Sequence, residues 1–192
     1  MNGTSAAETL RVAERVGEIL AGRHVDTVVV GAMALAVHGY PRLTKDFDLA
    51  IGIPPEQLEA LAQAIRAEGW DVEVRTPDAN DPLGGVIDIR APGADLVQVV
   101  NFDNSPAGGF PRLVREACLS AVPLGPDSAL KVANIFTLVA LKLYAGGHKS
   151  ANDILELLER NPSTDLDALR AFCQSLRLGK QLERVLDLAK QS

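Results

Sequence analysis

The sequence predicts an α+β protein: a mixed β-sheet with flanking helices, followed by a helical C-terminal part. Two observations carry this. Before residue 109, five short strand-like runs are interspersed with three helical patterns, the last three strands following one another, and after it the patterns are helical. With 192 residues, 47% hydrophobic and 23% charged, the chain suits one compact domain, or a domain with a small appendage. The expected division is an α/β core over residues 1–125 and a helical part over 126–192 packed on it. No internal repeat, low-complexity tract or long linker interrupts either part.

In chain order, residues 6–21 set Leu10, Ala13, Val16, Gly17 and Leu20 at helical spacing. Residues 25–30 read as a buried strand, and the small apolar run 31–38 as a short helix leaving it before the Gly39-Tyr40-Pro41 turn. Residues 45–51 alternate as a second strand. Pro54 and Pro55 open a helix through Leu58, Leu61 and Ile65 that stops at Gly69. Three further strands are expected at 72–74, 86–89 and 96–100, the last two joined by a turn at Pro92-Gly93. Helices follow at 111–119, 128–145, 151–160 and 165–176, with a short one from Lys180.

Nineteen Lys and Arg against 25 Asp and Glu leave a formal net charge of −6, so no bulk positive field gathers nucleic acid. A polyanionic partner needs a local basic patch or a metal. Cys118 and Cys173 stand far apart, and three scattered histidines add no zinc spacing, which fits a reducing, cytoplasmic setting. Acids and arginines break every apolar run near the N-terminus, so neither a signal peptide nor a membrane anchor is expected.

The chemistry centres on Asp46 and Asp48. Residues two apart on a strand share a face, roughly 6.5–7 Å from each other, so the two carboxylates face one way while Phe47 and Leu49 face the core. Such a pair repels itself unless a cation lies between, and Mg²⁺ or Mn²⁺ suits oxygen ligands. The opposing reading is that both acids merely face solvent. Upstream, the strand ending at Val30 runs into Gly31 and Ala32 at a helix start, a setting that favours phosphate. Thirteen residues separate Ala32 from Asp46, enough for one short helix and a return strand, so turn and carboxylates can meet at one sheet edge.

The stretch GAMALAVHGYPRLTKDFDLAI is similar to the signature of the nucleotidyltransferase superfamily, the polymerase-beta-like fold. Its His38-Gly39 and Arg42-x-Thr44-x-Asp46 most resemble the AbiEii-type abortive-infection toxins and their bacterial relatives. A second stretch, LKLYAGGHKSANDILELL, is similar to that group's downstream motif, so the resemblance spans roughly residues 25–158. It implies a metal-dependent transfer of a nucleoside monophosphate from a nucleoside triphosphate (NTP) to an acceptor hydroxyl, with release of pyrophosphate. The acceptor stays open between a tRNA end, a protein side chain and a small molecule, and a toxin role would bring an antitoxin partner. Asp46 and Asp48 match the metal-binding carboxylates. Gly31 and Ala32 match the phosphate-side turn, with Ala in place of a second Gly or a Ser. Lys142, Lys149 and Asp153 match the downstream motif. The resemblance also implies a third carboxylate, acting as base, on a later strand. There the strand over 96–100 offers Gln98, and the acids nearby are Asp95 and Asp88.

Other residues keep two readings each. Arg42 either holds phosphate or covers the charge of Asp46 and Asp48. Thr44 reads as a turn or strand-entry residue. Lys142 lies among Leu138, Val139, Leu141, Leu143 and Tyr144, where an ammonium needs a partner or a route to the site. Lys149 and Asp153, four apart, are either site residues or a surface helix pair. His38 and His148 read as structural or exposed; Trp70, Phe110, Cys118 and Cys173 read as core. Three rivals remain: a catalytically degenerate binding protein of the same fold, an antibiotic-type small-molecule nucleotidyltransferase, and a plain interaction module.

Overall fold

A computed structural model describes residues 3–42, 44, 46–77, 81–104, 111–126 and 128–189. The chain runs α1 (Gly3–Ala21), β1 (Val28–Val29), α2 (Gly31–Val37), β2 (Asp46–Ile51), a 3₁₀ turn (Pro55–Gln57), α3 (Leu58–Arg66), β3 (Asp71–Arg75), β4 (Val86–Arg90) and β5 (Leu96–Asn101). It continues with α4 (Pro111–Leu119), β6 (Val122–Pro123), β7 (Lys131–Val132), α5 (Ile135–Ala145), α6 (Gly147–Arg160), α7 (Leu166–Ser175) and α8 (Gly179–Ala189). The sequence-predicted Phe110 lies outside the described residues.

Seven strands form one mixed sheet in the order β3-β4-β5-β2-β1-β7-β6. β2 runs parallel to β5 and β1 parallel to β7, while the other neighbours are antiparallel. Strand alternation then sorts side chains into rows across the sheet. On one face Phe47, Val97, Ile89 and Val72 stand in register, as do Leu49, Val99, Ile87 and Val74. All but Val74 in these two rows are buried, in a core shared with Val16 and Leu20 of α1 and Leu61 and Ile65 of α3. Each large side chain so buried stabilises the fold by about 1.5–3 kcal/mol relative to exposure. The other face carries the row Asp48, Gln98, Asp88, Glu73. On that face the polar row lies beside a mostly apolar one, Ala50, Val100 and Val86, which ends at Arg75.

The helices and the central strands form where periodicity expects them, with three differences, one being that the helix expected over 151–160 starts at Gly147. The expected strand over 25–30 is cut to two residues. The expected helix over 128–145 begins only at Ile135, and its first part supplies β7. Asn134 explains the late start: its Oδ1 accepts the Thr137 N–H at 2.9 Å, an N-cap that fixes where α5 begins. The boundary expected after residue 125 falls in the turn between β6 and β7, and β7 joins the sheet beside β1.

The C-terminal helices are tied to the sheet side by specific bonds. Asn161 donates to the His38 carbonyl at 2.8 Å, the Arg160 guanidinium lies over the Tyr40 ring, and Tyr144 donates to the Pro82 carbonyl. A ring nitrogen of His38 meets the Ala133 carbonyl at 2.8 Å, so His38 is structural, whereas His148 is exposed. Cys173 is fully buried, and Cys118 and Trp70 are partly buried against the core. Burial pushes both thiols up to about 11, which keeps them protonated at neutral pH. Among the described residues no helix is long and apolar enough to cross a membrane.

Candidate active site

Asp46 and Asp48 open β2 on the face that carries Gln98, Asp46 exposed and Asp48 half-buried. Thr44 acts at the strand entry, its hydroxyl accepting the Asp46 N–H at 3.2 Å. β1 runs alongside, and the Val30 N–H donates to the Asp48 carbonyl at 2.9 Å. That bond delivers Gly31 directly onto the Asp48 side chain. Gly31 has φ +64, and a Cβ added there would lie 2.7 Å from Asp48 Cγ and overlap its carboxylate oxygen. Glycine is required twice over, for its left-handed backbone and for the room it leaves. Ala32 follows, buried in the first turn of the seven-residue α2.

Burial raises the Asp48 carboxyl above its ordinary range, and the charge of Asp46 adds to this; Lys142, Arg42 and Lys149 act in the opposite direction. The charges of three cations from two distant parts of the chain thus act on one carboxylate. Lys142 comes from α5 and Lys149 from α6, on either side of a turn made by Gly146 and Gly147, both at positive φ. The turn sets α6 against α5, so that Asp153 meets Lys142. Lys142 Nζ lies 2.7 Å from Asp153 Oδ2, and Arg42 Nε lies 3.4 Å from Asp153 Oδ1. Asp153, 5% exposed, is the hub of this cluster, and its partners are Lys142 and Arg42 rather than the helix neighbour Lys149. Burial pulls the Lys142 ammonium below its usual value, against the pull of its Asp153 partner.

Two features suit ligands. Neither Asp46 nor Asp48 forms an ion pair through its side chain among the described residues, so these adjacent carboxylates fit an oxygen-seeking divalent cation. The buried Arg42 Nε has no hydrogen-bond partner there, since its contact to Asp153 is an ion pair without hydrogen-bond geometry. A buried guanidinium donor left open beside Lys142 fits a phosphate oxygen. No group of three acids, histidines or cysteines among the described residues is arranged to hold a metal.

The later strands put Gln98 directly across from Asp48, with Asp88 one strand beyond. At about 4.8 Å per strand, Asp88 stands about 10 Å from Asp48. Its carboxylate is spent elsewhere. Arg75 donates two hydrogen bonds to it, at 2.9 and 3.0 Å, and Gln98 Nε2 donates a third. Burial alone would raise the Asp88 carboxyl, but these donors outweigh it and hold the group below the ordinary carboxylate range. Asp95 just precedes β5, where its amide donates to Thr9 Oγ1 of α1 at 2.8 Å and its buried Oδ2 has no hydrogen-bond partner among the described residues. Asp95 and Asp46 both line a cavity of about 360 Å³ whose other walls include Leu10, Met33, Phe47 and Leu124. A larger cavity, about 520 Å³ between α1 and β7, holds none of these charged residues.

The Arg75 clamp on Asp88 and the Arg42 contact to Asp153 have no sequence signal, because the partners meet only through strand pairing or helix docking. The Lys142–Asp153 pair has a partial one: a lone lysine on an apolar helix demands a partner, and the next helix carries an acid.

No family model matches the sequence, and a search of curated proteins finds no match. Solved structures do resemble the fold. The antibiotic-resistance factor ANT(2'')-Ia in solution is 12% identical, with TM-score 0.52 over 96% of this chain and 97% of that one. Its crystal structure with adenylyl-2''-tobramycin gives 12% and 0.51, over 88% and 96%. An antigenic nucleotidyltransferase-like protein from Paracoccidioides brasiliensis gives 17% and 0.50, over 95% and 94%. The seven-stranded mixed sheet with its helices is a nucleotidyltransferase-like fold, shared with these proteins along nearly their whole length.

Proposed function

We propose that this chain is a metal-dependent nucleotidyltransferase, moving a nucleoside monophosphate from an NTP to an acceptor. The observation that carries the reading is the pairing of Lys142 and Arg42 on buried Asp153, with both cations and Lys149 acting on Asp48 beside Asp46 and the Gly31 turn. Asp46 and Asp48 would hold Mg²⁺ or Mn²⁺, which supplies charge neutralisation at the phosphates and orientation of the α-phosphorus. Arg42, through its open Nε–H, and the two lysines would bind phosphate oxygens, and Asp153 would keep Lys142 and Arg42 in position. Gly31 would let the chain approach the carboxylate side closely. The likeness in fold to ANT(2'')-Ia, solved with adenylyl-2''-tobramycin, favours a small-molecule acceptor. The resemblance in sequence to AbiEii-type toxins favours a toxin with an antitoxin partner.

A second reading, a nucleotide-binding protein without transfer, is favoured by Gln98 standing across from Asp48 where a third carboxylate would serve as base. One experiment separates the two. The protein is incubated with each α-labelled NTP, Mg²⁺ or Mn²⁺, and cell extract, and the label is followed. Transfer that disappears in Asp46→Asn supports the enzyme. A nucleotide- and metal-dependent rise in melting temperature without transfer supports the binding protein, and neither response refutes both.

A further inference from the structure

Transfer to a hydroxyl forms a P–O bond and leaves a proton that some group must take. On the sheet face that carries Asp48 and Gln98, no nearby carboxylate of the described residues is free for that task. Asp46 and Asp48 belong to the cation in the transferase reading. Asp153 is tied to Lys142 and Arg42. Asp88, two strands away, is held by Arg75 and Gln98. Asp95, whose Oδ2 has no hydrogen-bond partner among the described residues, precedes β5 and lines with Asp46, Phe47 and Thr9 the cavity beside α1, away from the Asp48–Gln98 pair. The neighbour that does face Asp48 is Gln98, whose amide cannot take a proton at neutral pH.

Gln98 is not a loosened remnant of a site. Because the Asp88 carboxylate only accepts hydrogen bonds, the Gln98 amide must turn its NH₂ toward it. Arg75 fixes Asp88, and Asp88 in turn fixes Gln98. The same nitrogen carries a second hydrogen, an uncharged donor suited to an oxyanion. An aspartate at this position would repel an anionic oxygen; glutamine does not.

Resting on the transferase reading, we infer that the acceptor oxygen reaches this site already ionised, so that the group receiving the nucleotide is a phosphomonoester or a carboxylate rather than a hydroxyl. In that reaction a lone pair of the acceptor oxyanion forms the bond to the α-phosphorus. The bond from the α-phosphorus to its bridging oxygen breaks, and pyrophosphate leaves with that electron pair. No proton has to be removed.

The linkage in the product tests this whichever molecule accepts the nucleotide. Product labelled from α-labelled NTP in cell extract is split into three portions. Release by neutral hydroxylamine marks a mixed anhydride with a carboxylate; resistance to hydroxylamine with release by a Nudix pyrophosphohydrolase marks a phosphoanhydride. Either is the expected result. A product that resists both and yields to phosphodiesterase has a hydroxyl acceptor and overturns the inference while leaving the transferase intact. Absence of labelled product with all four NTPs removes the transferase reading, and the inference with it. Independently, Gln98→Asp should cut transfer at least about tenfold by placing like charge against the acceptor, while the metal- and nucleotide-dependent rise in melting temperature persists. Unchanged or increased transfer in Gln98→Asp overturns the inference.

Discussion

Gly31 and Asp48 fill one space between them: the methyl that glycine lacks would overlap the carboxylate that the aspartate carries. Gly31→Ala should therefore cost more than its left-handed backbone alone, which accounts for about 1–2 kcal/mol. In an Asp48→Ala background the overlap is relieved, and the same substitution should cost only that backbone share. Urea unfolding of the four proteins checks this. Equal costs in the two backgrounds would show that the turn moves aside and that Asp48 does not define it.

Asp153 is a buried acid with two cationic partners. Lys142→Met removes the closer one and leaves the carboxylate to Arg42 alone, so a loss of about 2–3 kcal/mol is expected, the scale of a charged group stripped of its hydrogen bond. Adding Asp153→Asn should recover part of the loss, with a coupling of about 1–3 kcal/mol in the double-mutant cycle. Additive effects would mean that the 2.7 Å contact contributes nothing to folding.

The Arg75–Asp88 pair makes a prediction about acid. In the folded protein the Asp88 carboxyl lies below its ordinary value, so its contribution is complete above the ordinary carboxylate range and fades as the pH falls through the lowered value. Arg75→Met should destabilise by about 1–2 kcal/mol at neutral pH, the cost of an under-partnered buried carboxylate. The gap between parent and variant should close in strong acid, where Asp88 is protonated in both. Stability curves against pH measure it, and a constant gap would assign the loss to packing of the Arg75 stem.

For the metal, Mg²⁺ or Mn²⁺ with NTP should raise the melting temperature of the parent, and the double variant Asp46→Asn, Asp48→Asn should show no rise. Without ligand, the double variant should be slightly more stable, because Asp48 loses both its burial penalty and its repulsion from Asp46. A full rise in the double variant would move the cation away from β2.

Much of this architecture is written locally. The alternation of Asp46-Phe47-Asp48-Leu49 gives both the strand and the two faces, because strand geometry leaves no other choice once Phe47 and Leu49 are buried. β6 and β7 are not legible: two residues carry no period, and Lys131–Val132 lies in a run whose apolar spacing also fits a helix. Asn134 is the one local signal there, three residues before the Thr137 amide it caps. The carboxylate pair can be found from spacing, whereas the neighbour of Asp48 cannot. That Gln98 faces it depends on β5 pairing parallel to β2 and on its register, which are decided by the whole sheet.

The parallel pairing of β1 with β7 brings Val29 beside Val132, across about a hundred residues of chain. A chain emerging during synthesis has Asp46 and Asp48 early, on a sheet whose β2–β5 centre needs nothing beyond Asn101. Lys142, Lys149 and the acid that steadies Lys142 emerge only later, after β7. The nascent protein thus passes through a stage at which its acids stand without the facing lysines. In the transferase reading, affinity for a triphosphate would be acquired only when α5 and α6 dock, which would make nucleotide binding a reporter of their folding as well as of the site itself.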